Sequence, residues 1–137
     1  MRVLVDTCVW SLALARRMPR DSPEVAELRR LILDGDGVLL AAIVLQGLLQ
    51  AARSSEQHDA LMRTLAPFEL LLPTRDDHEL AAQLFRICRS KGVAVGTVDA
   101  LIAALAIRSR AMLLTVDEDF VRIAGLTKLR LLRPRGE

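Results

Sequence analysis

Four aspartates stand where their type and spacing could do chemistry: Asp6, Asp99, Asp117 and Asp119. Asp6 ends a short apolar run over residues 2–5. Asp99 opens an apolar helical stretch behind Thr97. Asp117 follows the apolar run 112–114, and Asp119 comes two residues later. In an open parallel sheet, active sites lie at the carboxyl ends of the strands. If these ends point the same way, three or four carboxylates converge on one cleft. Converging carboxylates repel one another, and such a cluster is tolerable only if protons or a metal offset the charge. All-oxygen ligands with no nearby His or Cys favour a hard cation, Mg²⁺ or Mn²⁺. A metal held in this way suits a phosphate substrate, because it can activate a water and stabilise charge on the attacked phosphate.

Each acid taken alone has a plainer use. An Asp in the first turn of a helix complements the helix dipole, and caps are common places for it. Asp99, Asp117 and Asp119 fit that description. Asp6 ends an apolar strand, where an Asp has less local use. The signal is therefore the set rather than any one member.

The elements that must position these acids alternate along the chain. Strands are expected over residues 2–5, 38–42, 68–72 and 112–114, with a fifth over 129–132. Helices are expected over 8–17, over a stretch begun by Ser22-Pro23 and ended by Asp34-Gly35, and over 43–53. Further helices are expected over 55–65 with Ser55 as cap, 77–91 closed by Gly92, 98–108 capped by Thr97, and 117–124. Strands alternating with helices imply parallel strands joined by right-handed crossovers. The expected fold is an α/β three-layer sandwich, helices on both faces of a four- or five-stranded, mostly parallel sheet. No linker or repeat divides the chain, so 1–137 reads as a single domain.

Composition narrows the function classes. Of 137 residues, 52% are hydrophobic and 26% charged, which excludes a disordered chain. Two cysteines, Cys8 and Cys88, are too few for a disulfide scaffold or thiolate metal site. Aromatics at 3%, with no Tyr, argue against a base-stacking platform. With 19 basic and 17 acidic residues, any nucleic-acid binding must be local rather than by bulk charge. The N-terminus makes a poor signal peptide and no run of apolar residues is long enough to span a membrane, so the cytoplasm is the expected compartment. No G-x-G-x-x-G follows the first strand, which excludes a dinucleotide site. A phosphate-accepting receiver module lacks its Asp after a central strand.

The opening VLVDTCVW, the segment IVLQGLLQAAR, and TVDALIAALAIRSRAMLLTVDEDF together resemble the PIN domain, specifically VapC-type toxins of bacterial toxin–antitoxin pairs. The resemblance covers nearly the whole chain. It implies a PIN-like fold and a Mg²⁺-dependent (or Mn²⁺-dependent) endoribonuclease whose cleavage leaves a 5′-phosphate and a 3′-hydroxyl. It implies that Asp6 and Asp99 are metal ligands and that Asp117 binds metal or positions water, with Asp119 as a second acid beside it. Thr7, Thr97 and Thr115 match polar positions lining the site. A small cognate antitoxin covering the acidic cleft, an RNA substrate and a homodimer are the implied partners.

One position departs from the family pattern. The helix after the second strand normally carries a Glu, and here that position is Gly47. Gly inside a helix costs roughly 1 kcal/mol relative to Ala, whereas Glu is a good helix former. Three explanations stand at this level: a degenerate natural member, a substitution that silences a toxic protein, or a close packing that requires Gly. Neighbouring Gln46 or Gln50 could supply a neutral ligand, but not the charge. A weaker metal site is expected, with cleavage reduced or lost. The alternative reading is a non-catalytic PIN-like module that binds antitoxin or RNA without cutting.

Among the remaining residues, His58 and His78 read as solvated, Trp10 as a packing residue, and Cys8 and Cys88 as buried thiols. Arg86, Arg89 and Lys91 form one basic group, and Lys128, Arg130, Arg133 and Arg135 another. Each is either a solvated face or a phosphate contact.

Overall fold

The computed structural model describes residues 1–15 and 22–134, so Arg135 and most of the connector before Ser22 lie outside the described residues. The order is β1 (Arg2–Val5), α1 (Thr7–Ala13), α2 (Pro23–Leu33), β2 (Gly37–Ala41), α3 (Ala42–Gln50), α4 (Ser55–Leu65), β3 (Glu69–Leu71), α5 (Arg75–Ser90), α6 (Thr97–Arg108), β4 (Met112–Leu114) and α7 (Asp119–Leu126). The strands form one parallel sheet in the order β3-β2-β1-β4. Register places Leu4 between Leu39 and Leu113, and Val5 beside Leu114. The α/β expectation is met with four strands.

The central strands are apolar in consecutive positions because both their faces are covered, as parallel sheets require. Val3, Leu4, Val5, Leu39, Leu113 and Leu114 are fully buried. β3 is the exposed edge. Helices α1, α2, α3 and α4 pack among themselves, and α5, α6 and α7 do likewise. This division follows from the strand order. The chain walks outward from β1 to β3, then returns across β1 to β4. Right-handed crossovers therefore put the first four helices on one face and the last three on the other. The reversal makes the gap between β1 and β4 the topological switch point, where the carboxyl ends of α/β sheets bind their ligands.

Several boundaries differ from expectation for local reasons. Ser54, not Ser55, caps α4, because its extended backbone lets Oγ accept from Gln57 N–H at 3.1 Å. Two adjacent serines give a sequence no means of choosing between them. Helix α5 starts at Arg75 because Thr74 and Asp77 form a capping box, with Thr74 N–H donating to Asp77 at 2.8 Å. Gly92 closes that helix at φ +77°, with Val93 N–H returning to the Cys88 carbonyl at 2.8 Å. Thr97 is the first residue of α6, and Gly96 is its cap residue, without a side-chain bond. The expected fifth strand contracts to one parallel bridge, Leu113↔Leu131. Trp10 is buried and packs edge-on to Phe68 at 5.0 Å, as a core residue should.

Candidate active site at the ends of β1 and β4

The switch point holds the acids. β1 runs straight into Asp6, whose backbone N–H continues the sheet by donating to the Leu114 carbonyl at 2.9 Å. The Asp6 side chain is buried and fully engaged. Oδ1 accepts from Thr7 N–H at 2.8 Å, capping α1. Oδ2 accepts from Thr115 Oγ1 at 2.8 Å and from the Cys8 thiol at 3.2 Å. Asp6 therefore has the local use that its place after a strand had seemed to deny it: it is a helix cap as well as a buried acid.

Thr115 ties the two strand ends together. Its hydroxyl donates to Asp6 and accepts from Asp117 N–H at 3.0 Å. Asp117 in turn accepts from Asp119 N–H at 2.9 Å, which holds the start of α7 against the end of β4. Asp119 is exposed and pairs with Arg122 one turn along. Asp99 enters from α6, the third residue past the Gly96 cap, where the helix dipole favours a negative charge.

Asp99, Asp117 and Asp119 each offer a carboxylate oxygen, and these oxygens lie within 4.8 Å of one another. The Asp6 carboxylate stands beside this set rather than in it, because its oxygens are turned to the α1 N-terminus, Cys8 and Thr115. Its charge still reaches the group. Burial first, then the charges of Asp6, Asp117 and Asp119, push the Asp99 carboxyl up to about 6. No hydrogen bond from the described residues relieves it. A carboxyl so placed favours either a proton or a cation. Three carboxylate oxygens without His or thiolate fit a hard divalent ion. Arg122, bound to Asp119, is the counter-charge that such an ion would compete with.

The cysteine at this site was not legible in the sequence. Cys8 was expected to be a buried thiol like Cys88, yet it is half-exposed and belongs to the Asp6 network. Val116 N–H donates to its sulfur at 3.5 Å. Burial pushes its thiol up, with the Asp6 charge acting in the same direction, so it stays protonated and donates. Its place two residues past Asp6 was the signal available, but it does not by itself distinguish packing from a hydrogen bond.

Gly47 lies across from this network. A Cβ built on it would meet only Thr7 Cγ2, at 3.9 Å. Close packing therefore does not require glycine, which removes one of the three explanations. The position faces the residue next to Asp6. Gln46 and Gln50 do not fill it, since they bond to each other at 2.8 Å on the exposed face of α3. His58 and His78 lie on α4 and α5, and neither belongs to the acidic group.

The chain resembles known proteins along nearly its whole length. Residues 3–126 match the PIN domain family. The chain is 30% identical over 131 residues to a VapC ribonuclease of Mycobacterium bovis and equally to ribonuclease VapC11 of Mycobacterium tuberculosis, covering 93% of this chain and 96% of each relative. Its fold resembles FitAcB from Neisseria gonorrhoeae, with a TM-score of 0.74, 22% identity, and 98% and 99% of the two chains covered. It also resembles VapBC2 from Rickettsia felis, solved bound to a promoter DNA fragment, with a TM-score of 0.77, 20% identity, and 96% and 98% covered. With acids gathered at the β1–β4 switch point and a family match running through nearly the whole chain, this protein belongs to the PIN domain family.

Proposed function

We propose that this chain is the ribonuclease toxin of a toxin–antitoxin pair, acting on RNA with a divalent cation. The observation that carries the reading is the gathering of Asp99, Asp117 and Asp119 within 4.8 Å at the switch point, beside the buried Asp6. The VapC ribonucleases to which the chain is 30% identical support the substrate class. In this reading Asp99, Asp117 and Asp119 hold the ion, and Asp6 adds negative charge from its fixed position. When bound, Mg²⁺ or Mn²⁺ would supply water activation and charge stabilisation at the phosphate. Thr115 and Cys8 orient Asp6, and Thr115 also aligns Asp117. Such a substrate is met in the cytoplasm. No helix among the described residues is long and apolar enough to cross a membrane.

A cognate antitoxin is the partner we assign. Its support is that the solved neighbours include a toxin–antitoxin complex from Klebsiella pneumoniae and VapBC-5, a member of the VapBC family of toxin–antitoxin systems, from Mycobacterium tuberculosis. A homodimer is part of the same reading.

Gly47 bears on that activity, because the resemblance implies a Glu at this position and its carboxylate is missing here. The missing carboxylate also fits a second reading, a module that keeps the fold and its partner but does not cut; packing does not account for the Gly, since a Cβ there would meet only Thr7 Cγ2 at 3.9 Å. The two readings separate in one experiment: RNA cleavage with Mg²⁺ or EDTA, comparing this chain with its Gly47→Glu variant. Cleavage by Gly47→Glu alone, abolished by EDTA, identifies a disabled ribonuclease. Equal cleavage by both shows that Gly47 is no lesion. Absence of cleavage in both supports the binding module.

A further inference from the structure

The short bridge at Leu131 directs a basic segment toward the end of the sheet where the acids gather. The segment after α7 lies alongside β4, with Leu113 N–H donating to the Arg130 carbonyl at 2.9 Å and Leu132 N–H donating to the Leu113 carbonyl at 2.9 Å. The pairing is parallel, so this segment travels in the same direction as β4, toward the carboxyl end of the sheet. Two residues past the bridge on β4 stands Thr115, which binds Asp6. Two residues past it on the neighbouring segment stands Arg133. The segment is seated rather than loose: Leu129 and Pro134 are buried on either side. Arg133 itself is exposed, and no carboxylate among the described residues pairs with it.

The arginines on α6, on α7 and in the segment after it differ in how committed they are. Arg122 is bound to Asp119. Arg108 belongs to Asp76 and Asp77, at the far end of α6. Arg133 has no carboxylate partner among the described residues, and its segment runs toward the end of the sheet where the acids gather. A phosphodiester approaching four carboxylates meets repulsion. A guanidinium at the rim offers planar, charge-assisted hydrogen bonds to a phosphate oxygen pair without occupying the acids.

We propose that Arg133, carried to the sheet's carboxyl end by the Leu113↔Leu131 bridge, is a substrate-positioning residue that holds a backbone phosphate of the RNA next to the acidic site. The proposal rests on the ribonuclease reading. It assigns Arg133 to binding and alignment and gives it no part in the chemical step. Arg130, three residues earlier and beside the bridge rather than past it, has no such place.

The test is equilibrium binding of a fluorescein-labelled, mixed-sequence single-stranded RNA to the full chain, read by anisotropy over a salt series, in EDTA and in Mg²⁺. Arg133→Gln is expected to weaken binding several-fold at low salt and to flatten the slope of log K against log salt by about 0.7, the value for one single-strand phosphate contact. Arg133→Lys should restore the slope while recovering only part of the affinity, because the charge returns without the fork. Arg130→Gln should match the parent. Unchanged affinity and slope in Arg133→Gln, with the parent still binding RNA, overturn this inference and leave the ribonuclease reading standing. A parent that binds no RNA in either buffer overturns both. A changed oligomeric mass in Arg133→Gln, without a change in RNA binding, overturns it in favour of a protein contact.

Discussion

Helix α6 carries a buried or half-buried charge problem at each end, and the two ends solve it differently. At the C-terminal end, Arg108 donates from Nε to Asp77 at 2.9 Å and reaches Asp76 at 3.5 Å. Asp77 is buried, and it also receives Thr74 N–H at 2.8 Å and Thr74 Oγ1 at 3.1 Å. Every buried oxygen there has a donor. At the N-terminal end, Asp99 faces Asp6, Asp117 and Asp119 and is driven up to about 6. One helix thus has a satisfied carboxylate that builds the fold and an unsatisfied one that builds a site. Burial alone does not mark function, since Asp77 is as buried as Asp6. What marks it is like charge held together without a matching donor.

Four measurements sharpen or break this contrast. The largest effect is expected in cleavage. In the Gly47→Glu background, Asp99→Asn should lower Mg²⁺-dependent RNA cleavage by about 100-fold or more, since the proposed function assigns this carboxylate to the ion. Retained cleavage in Asp99→Asn would show that the unsatisfied end of α6 does no chemistry.

Next comes the satisfied end. Arg108→Met leaves the buried Asp77 without its ion partner. With Arg108 itself 43% exposed, solvent screening reduces the penalty for breaking a buried pair to about 2 kcal/mol. Thermal unfolding should show a fall of roughly 5–10 °C, with RNA binding unchanged. A stability equal to the parent's would remove Asp77–Arg108 as a structural pair.

The third effect has the opposite sign. The Asp99 carboxyl titrates near 6 in the folded state, above its ordinary value of 3.8, so the folded protein holds the proton more tightly than the unfolded chain. Metal-free stability should therefore fall as pH rises from about 4 to 6 and remain lowered above it. Asp99→Asn should be more stable than the parent at pH 7.5, by about 1 kcal/mol once partial exposure is allowed for, and the gain should vanish near pH 4. Added Mg²⁺ should raise the parent's Tm more than the variant's. A loss of stability in Asp99→Asn at pH 7.5 would place Asp99 with Asp77 among the structural acids.

The smallest effect is a control on the surface. Arg75 pairs with Glu79 at 2.8 Å but is 91% exposed, so Arg75→Ala should shift stability by less than about 0.5 kcal/mol. A larger loss in chemical denaturation would mean that ion pairs at the start of α5 matter beyond their exposure.

Much of this was legible in the chain itself. Apolar runs ending at Asp6 and before Asp117 mark strands buried on two faces, and their alternation with helices implies the parallel sheet. Gly92 stops α5 because a left-handed residue was needed there, and the sequence supplies the type best able to adopt it. Gly47 stood out because nothing local favours glycine inside a helix. Other features needed coordinates. The sequence could not separate Ser54 from Ser55, since both can cap. It could not tell that Cys8 donates to Asp6, because that bond depends on how α1 leaves β1. It read 129–132 as a strand, whereas among the described residues this segment makes one bridge, Leu113↔Leu131.

The sequence by itself determined the local elements, the set of four acids, and the anomaly at Gly47, because residue type and spacing act over a few positions. Only the tertiary structure decided which acids meet. Asp6, Asp99 and Asp117 are separated by long stretches of chain, and their distances depend on strand order and on the reversal across β1. The same reversal left Asp77 paired and Asp99 without a donor, a difference that depends on which cation the fold carries to each end of one helix.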